Sequence, residues 1–132
     1  MIFFSATIKF FRFHFRSVTV VALILWLITV AALSLLPFSS VAFLAPSISD
    51  DVTHFIAYMV GGLLAGLCFR KLKVSWVVIA GIGTLIEFGQ TWVGTGRSSE
   101  LGEGIANGLG SLLGVAIALA LKRWVERFEQ RH

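Results

Sequence analysis

Residues 52–93 read VTHFIAYMVGGLLAGLCFRKLKVSWVVIAGIGTLIEFGQTWV, which is two apolar runs separated by a short basic turn. The runs cover residues 52–69 and 74–93, and the turn contains Arg70, Lys71 and Lys73. A transmembrane helix needs about 20 mostly apolar residues, and each run has close to that length. The segment therefore predicts a tight hairpin of two membrane-spanning helices.

Two further apolar runs lie on either side of this hairpin, at residues 18–36 and 101–121. The first run, VTVVALILWLITVAALSLL, ends at Pro37. A signal peptide is the alternative interpretation, but its apolar region is usually about 7–15 residues long and this run is longer, so we interpret it as a retained span. The sequence thus predicts an all-α fold: a polytopic membrane bundle of four transmembrane helices.

The composition agrees with a membrane chain. Of the 132 residues 57% are hydrophobic and 14% are charged, whereas a soluble domain carries roughly 25% charged residues. Four spans use about 80 residues and leave too few for a second folded domain. The composition fits neither a disordered chain nor a nucleic-acid binder, and the single Cys68 has no partner for a disulfide or a cysteine-based metal motif within one chain.

The net charge of +4 is best explained as a topology signal. Lys and Arg number three before the first span, none in the next loop, three in the hairpin turn, one in the following loop and four after the last span. Basic loops stay cytoplasmic, so we predict that both termini and the hairpin turn are cytoplasmic. Residues 37–51 and 94–100 then face outward, and in a bacterium the location is the inner (cytoplasmic) membrane.

The ends of the chain are basic and rich in aromatic residues. Residues 1–17 place Phe4, Phe11 and Phe15 on one helical face and Lys9 and Arg12 on another, which predicts an N-terminal amphipathic segment lying at the membrane surface. A cytoplasmic extension of the first span is the alternative. We therefore divide the chain into this N-terminal segment, a membrane domain at residues 18–121 and a basic cytoplasmic tail at residues 122–132.

Several polar residues stand inside or beside the apolar runs. A charged group within a span costs a few kcal/mol on insertion scales, so such residues normally face protein or water. Asp50, His54 and Tyr58 are four residues apart and share a helical face. The carboxylate of Asp50 could orient the imidazole, although Asp50 as a helix N-cap and His54 as an interfacial residue is a sufficient structural explanation of this pair.

The third and fourth spans carry a similar set. Glu87 and Gln90 lie near the end of the third span, and Glu103 and Asn107 share a face at the start of the fourth. Glu87 has a structural alternative as a packing residue satisfied by a neighbouring helix. The predicted topology places all these residues toward the outer leaflet, so we expect His54, Glu87, Arg97, Glu103 and Asn107 to meet in one outward-facing polar cavity.

Glycines recur four residues apart at 62 and 66, at 104 and 108, and at 110 and 114. Such spacing lets helices approach each other closely in a membrane. We assign these glycines to helix packing.

The polar motifs together resemble the VanZ-like family of small bacterial membrane proteins, whose founding members are linked to teicoplanin resistance. The resemblance covers about residues 20–121. It is carried by an Asp four residues before His-Phe with Tyr shortly after, by a Glu-x-x-Gln, by an Arg in a short loop, and by an acidic residue with Asn four positions later and glycines beyond. The matching residues are Asp50, His54, Phe55, Tyr58, Glu87, Gln90, Arg97, Glu103, Asn107, Gly110 and Gly114.

Two positions depart from the family pattern. The family usually has Lys after the first Asp, where this chain has Asp51, and usually has Asp where this chain has Glu103. The second change keeps the charge and lengthens its reach, whereas the first reverses a charge beside the expected site. The resemblance implies a four-helix membrane fold and an envelope context with antibiotic tolerance.

The leading functional hypothesis is a site that binds or acts on an amphiphile, such as an anionic envelope lipid, a lipid-linked glycan or a lipoglycopeptide. Arg97 is the expected anchor, since guanidinium binds phosphate or carboxylate in a fork. We assign hypothetical acid/base roles to His54, Glu87 and Glu103. The expected ligand-binding residues are Asp50, Tyr58, Gln90, Arg97 and Asn107.

Other functions remain open at this stage. His54 with carboxylates from separate helices could hold a divalent cation, but no HExxH motif or cysteine cluster supports zinc, so we assign no metal ligands and no cofactor. Glu87, Glu103 and His54 could instead form a proton relay in a small oligomeric transporter, which four helices would favour as a homodimer. A structural partner of a larger membrane complex is the third class, and the expected partners otherwise are the lipid bilayer and an amphiphile.

Overall fold

The computed structural model describes residues 2–36, 49–93 and 101–130, with side chains from residue 14 onward. It has four helices: α1 (Ile2–Leu35), α2 (Asp50–Cys68), α3 (Leu72–Val93) and α4 (Leu101–Glu129). The described residues contain no strand. The predicted all-α bundle of four helices is therefore confirmed.

Each helix contains a segment long and apolar enough to cross a membrane, which in α1 covers His14–Leu35. The outer surfaces agree, because large apolar side chains such as Leu85, Phe88 and Trp92 are exposed. A soluble protein rarely exposes so much contiguous apolar surface. The chain is thus a multi-pass membrane protein.

The helix bounds refine the prediction at both ends of the chain. α1 is one unbroken helix from Ile2, so the backbone has no break between the basic N-terminal segment and the first span. α4 continues past the predicted end at residue 121 through the basic tail to Glu129. Trp124 and Phe128 are exposed on this extension and lie 5.9 Å apart between ring centroids. The membrane-surface location of residues 1–17 stays a prediction.

The residues at the two ends of α2 show how the local sequence determines where a helix begins and ends. Ser49 is the N-cap residue, and Asp50 and Asp51 form the acidic first turn, where the helix dipole favours negative charge. The sequence alternative that made Asp50 the cap is therefore wrong by one residue. At the other end Phe69 adopts an extended conformation, and its carbonyl accepts a hydrogen bond from Lys122 Nζ at 3.0 Å, a favourable place for a cation.

The closest helix pair is α2 with α4, and glycines make it possible. A side chain added at Gly62 would clash with the backbone of Ser111, and one added at Gly110 or Gly114 would clash with the backbone of Phe55 or Met59. Two of the three glycine pairs therefore pack as predicted. The third does not, because Gly104 faces the side chain of Glu87 and nothing lies within 4 Å of Gly108.

The contacting residues of α2 and α4 are the same number of positions apart in the sequence at two places where side chains join the helices, namely His54 with Asn107 and Phe69 with Lys122. α2 and α4 are consequently parallel, while the short turn after Phe69 makes α3 antiparallel to both. α1 joins the bundle through Trp26, whose indole N–H donates to the carbonyl of Ala57 at 2.8 Å. The bundle thus runs up, down, up and down.

Candidate functional site: a buried polar cluster at one end of the bundle

Four polar side chains meet where α2 begins, α3 ends and α4 begins: His54, Glu87, Glu103 and Asn107. We call this set the polar cluster. Because a helix rises about 1.5 Å per residue, each member lies within about 9 Å of the end of its own helix. The sequence predicted that these four side chains would meet, and the structure brings them together.

Both ring nitrogens of His54 lie near polar side chains of α4. Its Nδ1 lies 3.0 Å from Asn107 Oδ1, and its Nε2 lies 3.8 Å from Glu103 Oε2. The first distance is a hydrogen bond, whereas the second is an ion-pair distance that exceeds hydrogen-bond range. Groups on α4 therefore orient the imidazole, in addition to any effect of Asp50 that the sequence suggested.

Asn107 joins the histidine to the carboxylate of α3. Its Nδ2 donates to Glu87 Oε1 at 2.5 Å. With Nδ2 directed at Glu87, the amide oxygen Oδ1 faces the histidine, and an amide oxygen can only accept a hydrogen bond. The histidine then donates from Nδ1, and in the neutral imidazole Nε2 carries the lone pair directed toward Glu103. The order of the bonds thus fixes the tautomer.

The apolar neighbours of Glu87 in the sequence predict a group that is either protonated or paired with His54 or Arg97. The hydrogen bond that the structure gives Glu87 comes from Asn107, which stands between it and His54. The connection between the acid and the imidazole is therefore indirect.

All four members are removed from solvent. The exposed fractions are 8% for His54, 8% for Glu87, 5% for Glu103 and 2% for Asn107. These values decide that the cluster belongs to the interior of the bundle rather than to its lipid-facing surface. Electrostatic interactions between its members are correspondingly strong.

Aromatic side chains pack against one side of the polar cluster. Tyr58 is 1% exposed, and its ring is nearly parallel to that of His54, with the centroids 6.2 Å apart. Trp26 contacts the same tyrosine edge-to-face at 5.7 Å. Gly83 provides the space, because an added Cβ there would lie 2.8 Å from Tyr58 Cε1 and 3.1 Å from Asn107 Nδ2. The histidine therefore has two buried aromatic rings on one side.

The other expected site residues have different positions. Gln90 is buried and donates its amide N–H to the carbonyl of Ser34 at 2.8 Å, so it links α3 to α1. Asp50 is half-buried in the first turn of α2. Arg97 lies outside the described residues, so its expected place in the site stays a prediction.

Sequence reasoning missed three contributors: Trp26, Gly83 and Ser34. Trp26 is the one buried tryptophan among the described residues, and a tryptophan inside an apolar span is a signal that its N–H needs an acceptor. Gly83 carried no signal, since it belongs to no four-residue glycine pair. Ser34 contributes a backbone carbonyl, which any residue has.

Three members of the polar cluster also have the chemistry of metal ligands. One ligand atom each from His54, Glu87 and Glu103 can be chosen so that all lie within 4.8 Å of one another. The sequence assigned no metal ligands because it contains no zinc motif. The geometry gathers such a set from three helices, which no linear motif would reveal.

Comparison with family models, curated proteins and solved structures returns no match for this chain.

Proposed function

We propose that this chain is a membrane protein of the cell envelope that binds the anionic head group of an amphiphile beside the polar cluster and that belongs to the VanZ-like family. The observation that carries the proposal is the burial of His54, Glu87, Glu103 and Asn107 at one end of a bundle of apolar helices. An amphiphile in the bilayer presents its head group at the end of such a bundle.

Energetics support a functional role over a packing role. One charged side chain at the centre of a span costs about 2.5–3.5 kcal/mol on insertion scales, and less near the ends. A side-chain hydrogen bond between membrane helices returns about 0.6 kcal/mol on average and at most about 1.7 kcal/mol. Apolar residues would hold the helices together at a lower free-energy cost of insertion. The presence of three ionisable groups therefore favours a functional role over a packing role.

The proposed roles follow from the positions. Arg97 comes seven residues after Gln90 in the sequence, between the end of α3 and the start of α4, and we assign it the head-group phosphate or carboxylate. His54 is the proposed proton acceptor, since its Nε2 carries the lone pair in the neutral tautomer. Glu87 acts through Asn107 by holding that tautomer, and Glu103 is the proposed partner for a transferred proton.

The proposed orientation puts the polar cluster on the outer side of the inner (cytoplasmic) membrane. In the up-and-down bundle, the hairpin turn and the C-terminal part of α4 lie at the opposite end from the polar cluster, as the contact of Lys122 with Phe69 requires. These segments carry most of the Lys and Arg residues. Basic segments favour the cytoplasmic side, which supports an outward cluster.

A transmembrane relay has less support. Among the buried side chains of the described residues, the ionisable ones are His54, Glu87, Glu103 and Tyr58, whose ring stacks on that of His54, so all belong to one part of the bundle. The buried Ser75 and Ser111 in the other half donate to backbone carbonyls. A one-sided binding site accounts for this distribution better than a path across the membrane.

Lipid analysis of the purified protein tests the proposal. The full chain is extracted in a mild detergent, and bound amphiphiles are quantified per chain by mass spectrometry for the wild type, Arg97→Ala and Arg127→Ala. Arg127 is an exposed residue of the basic tail and serves as the matched control. We expect one class of anionic amphiphile with the wild type and the control, and at least a tenfold reduction with Arg97→Ala. Equal retention by all three would contradict the proposal.

A further inference from the structure

The polar cluster contains more groups able to bind a metal ion than a hydrogen-bonded contact between helices requires. Two carboxylates and one imidazole converge from three helices, and one ligand atom from each lies within 4.8 Å of the others. Two ionised carboxylates this close repel each other strongly in a water-poor interior. A group of positive charge between them would turn that repulsion into attraction.

The hydrogen bond at Nδ1 orients the histidine ring so that Nε2 can serve as the metal ligand. Its Nδ1 donates to Asn107 Oδ1, and Asn107 is itself held by Glu87. Metal-binding histidines commonly donate the ring N–H that does not face the metal to an oxygen, which fixes the tautomer and the ring orientation. The lone pair of Nε2 then points into the space that Glu103 borders.

The distances suit one ion. Zn²⁺ lies about 2.1 Å from imidazole nitrogen and from carboxylate oxygen, so its ligand atoms in a tetrahedral site are about 3.4 Å apart. His54 Nε2 and Glu103 Oε2, at 3.8 Å, are close to that separation. The whole set lies within 4.8 Å, so binding requires the carboxylates to move toward the ion by about an ångström.

We propose that His54 Nε2 and one carboxylate oxygen each of Glu87 and Glu103 bind a single divalent transition-metal ion, of which Zn²⁺ is the best match to one imidazole and two carboxylates. The ion neutralises two negative charges within the bundle and ties α2, α3 and α4 together at one end. Three protein ligands leave a coordination position open, as in catalytic zinc sites. The ion would occupy the Nε2 lone pair, so in the metal-bound chain His54 is a ligand and not a proton acceptor. Binding of the ion does not depend on the proposed amphiphile.

The test is metal binding by the full chain in detergent, purified without a histidine tag and stripped with a chelator. Isothermal titration with ZnCl₂ measures stoichiometry and affinity, and titration with CoCl₂ gives a visible absorption spectrum that reports nitrogen and oxygen ligands. We expect one ion per chain. His54→Gln and Glu103→Gln should weaken binding at least 100-fold, while Asn107→Ala, which removes a positioning residue, should weaken it about 10–100-fold.

Matched controls separate this site from adventitious binding. His14 is exposed on α1 and Glu126 is exposed on α4, so His14→Gln and Glu126→Gln remove the same groups elsewhere and should bind as the wild type. Thermal unfolding provides a second measurement that needs no variant to be stable, since Zn²⁺ should raise the midpoint of the wild type. Substoichiometric binding, loss of binding in His14→Gln, or wild-type affinity in His54→Gln and Glu103→Gln would overturn the proposal.

Discussion

Asn107 is an uncharged residue, yet it determines how two ionisable groups are arranged. Its amide accepts from His54 and donates to Glu87, so it has the two-sided hydrogen-bonding capacity that aspartate or leucine would lack. Gly83 leaves the room in which the amide and Tyr58 lie side by side. The residue thus converts a buried acid and a buried base into one ordered chain of hydrogen bonds.

Replacement of Asn107 by Ala should destabilise the bundle by about 1–2 kcal/mol, because both His54 Nδ1 and Glu87 Oε1 lose a buried partner. Thermal unfolding in detergent, followed by circular dichroism, measures the change. Thr84→Ala is the control, since the Thr84 side chain is exposed and bonds a carbonyl of its own helix. A midpoint for Asn107→Ala equal to that of the control would show that the amide is not a structural link.

Glu87 allows a comparison of charge with shape. Glu87→Gln keeps the size and an acceptor oxygen but removes the charge and the titration, whereas Glu87→Ala also leaves a gap. We expect Gln to abolish complementation of the envelope phenotype in a host lacking the gene, with normal protein levels in the membrane measured by immunoblot. If Gln complemented fully and Ala did not, Glu87 would be a packing residue.

At the level of helices, the sequence predicted most of the architecture because apolar run length and charge alternation are local signals. It located the spans and the hairpin, and it assigned to helix packing the glycines that the structure places between α2 and α4. It ended α4 at Leu121, although the following residues are good helix formers that continue the helix into the tail. It could not predict the hydrogen bond between Trp26 and Ala57. When a span is uniformly hydrophobic, its sequence does not indicate which face it turns toward a neighbouring helix.

The same limit applies to the candidate site. Shared depth in the membrane predicted that His54, Glu87, Glu103 and Asn107 would meet. Which atoms pair depends on side-chain directions across three helices, and spacing along one helix does not contain that information. The sequence therefore offers Asp50 as a group that could orient His54, because it lies on the same helix, whereas Asn107 and Glu103 reach the ring from α4.

Glycine substitutions test the packing of α2 on α4. An alanine at Gly114 would place Cβ 2.6 Å from Leu63 N and against the Met59 carbonyl, both backbone atoms that cannot move alone. We expect Gly114→Ala to lower stability by about 1–3 kcal/mol. Gly108→Ala, on the same helix with nothing within 4 Å, should be neutral or stabilising by about 0.5–1 kcal/mol. Thermal midpoints in detergent distinguish the two, and equal effects would contradict the packing.

The whole molecule has two unlike ends. The polar cluster occupies one end, and the basic hairpin turn and the Lys122 contact occupy the other. A bundle with this asymmetry has a defined orientation in a membrane with a cytoplasmic side. In the proposed orientation the polar cluster lies at the outer end of the bundle, which is why an envelope amphiphile is the proposed ligand.

Cysteine labelling tests the orientation. The native Cys68 is first replaced by Ala, and single cysteines are placed at Ser47, Thr95 or Lys71 of that variant. A membrane-impermeant maleimide added to intact cells should label the first two and spare the third, and permeabilisation should make the third reactive. Labelling of Lys71→Cys in intact cells with protection of the other two would reverse the orientation and place the polar cluster inside.

The central claim is that the polar cluster is a ligand site and not a packing device. The most direct measurement is the amount of amphiphile retained per purified chain in His54→Gln, Glu103→Gln and the exposed control Glu126→Gln, each at a thermal midpoint close to the wild type. The account predicts that both cluster variants lose at least nine-tenths of the bound amphiphile while the control retains it. Wild-type retention by folded His54→Gln and Glu103→Gln would contradict it.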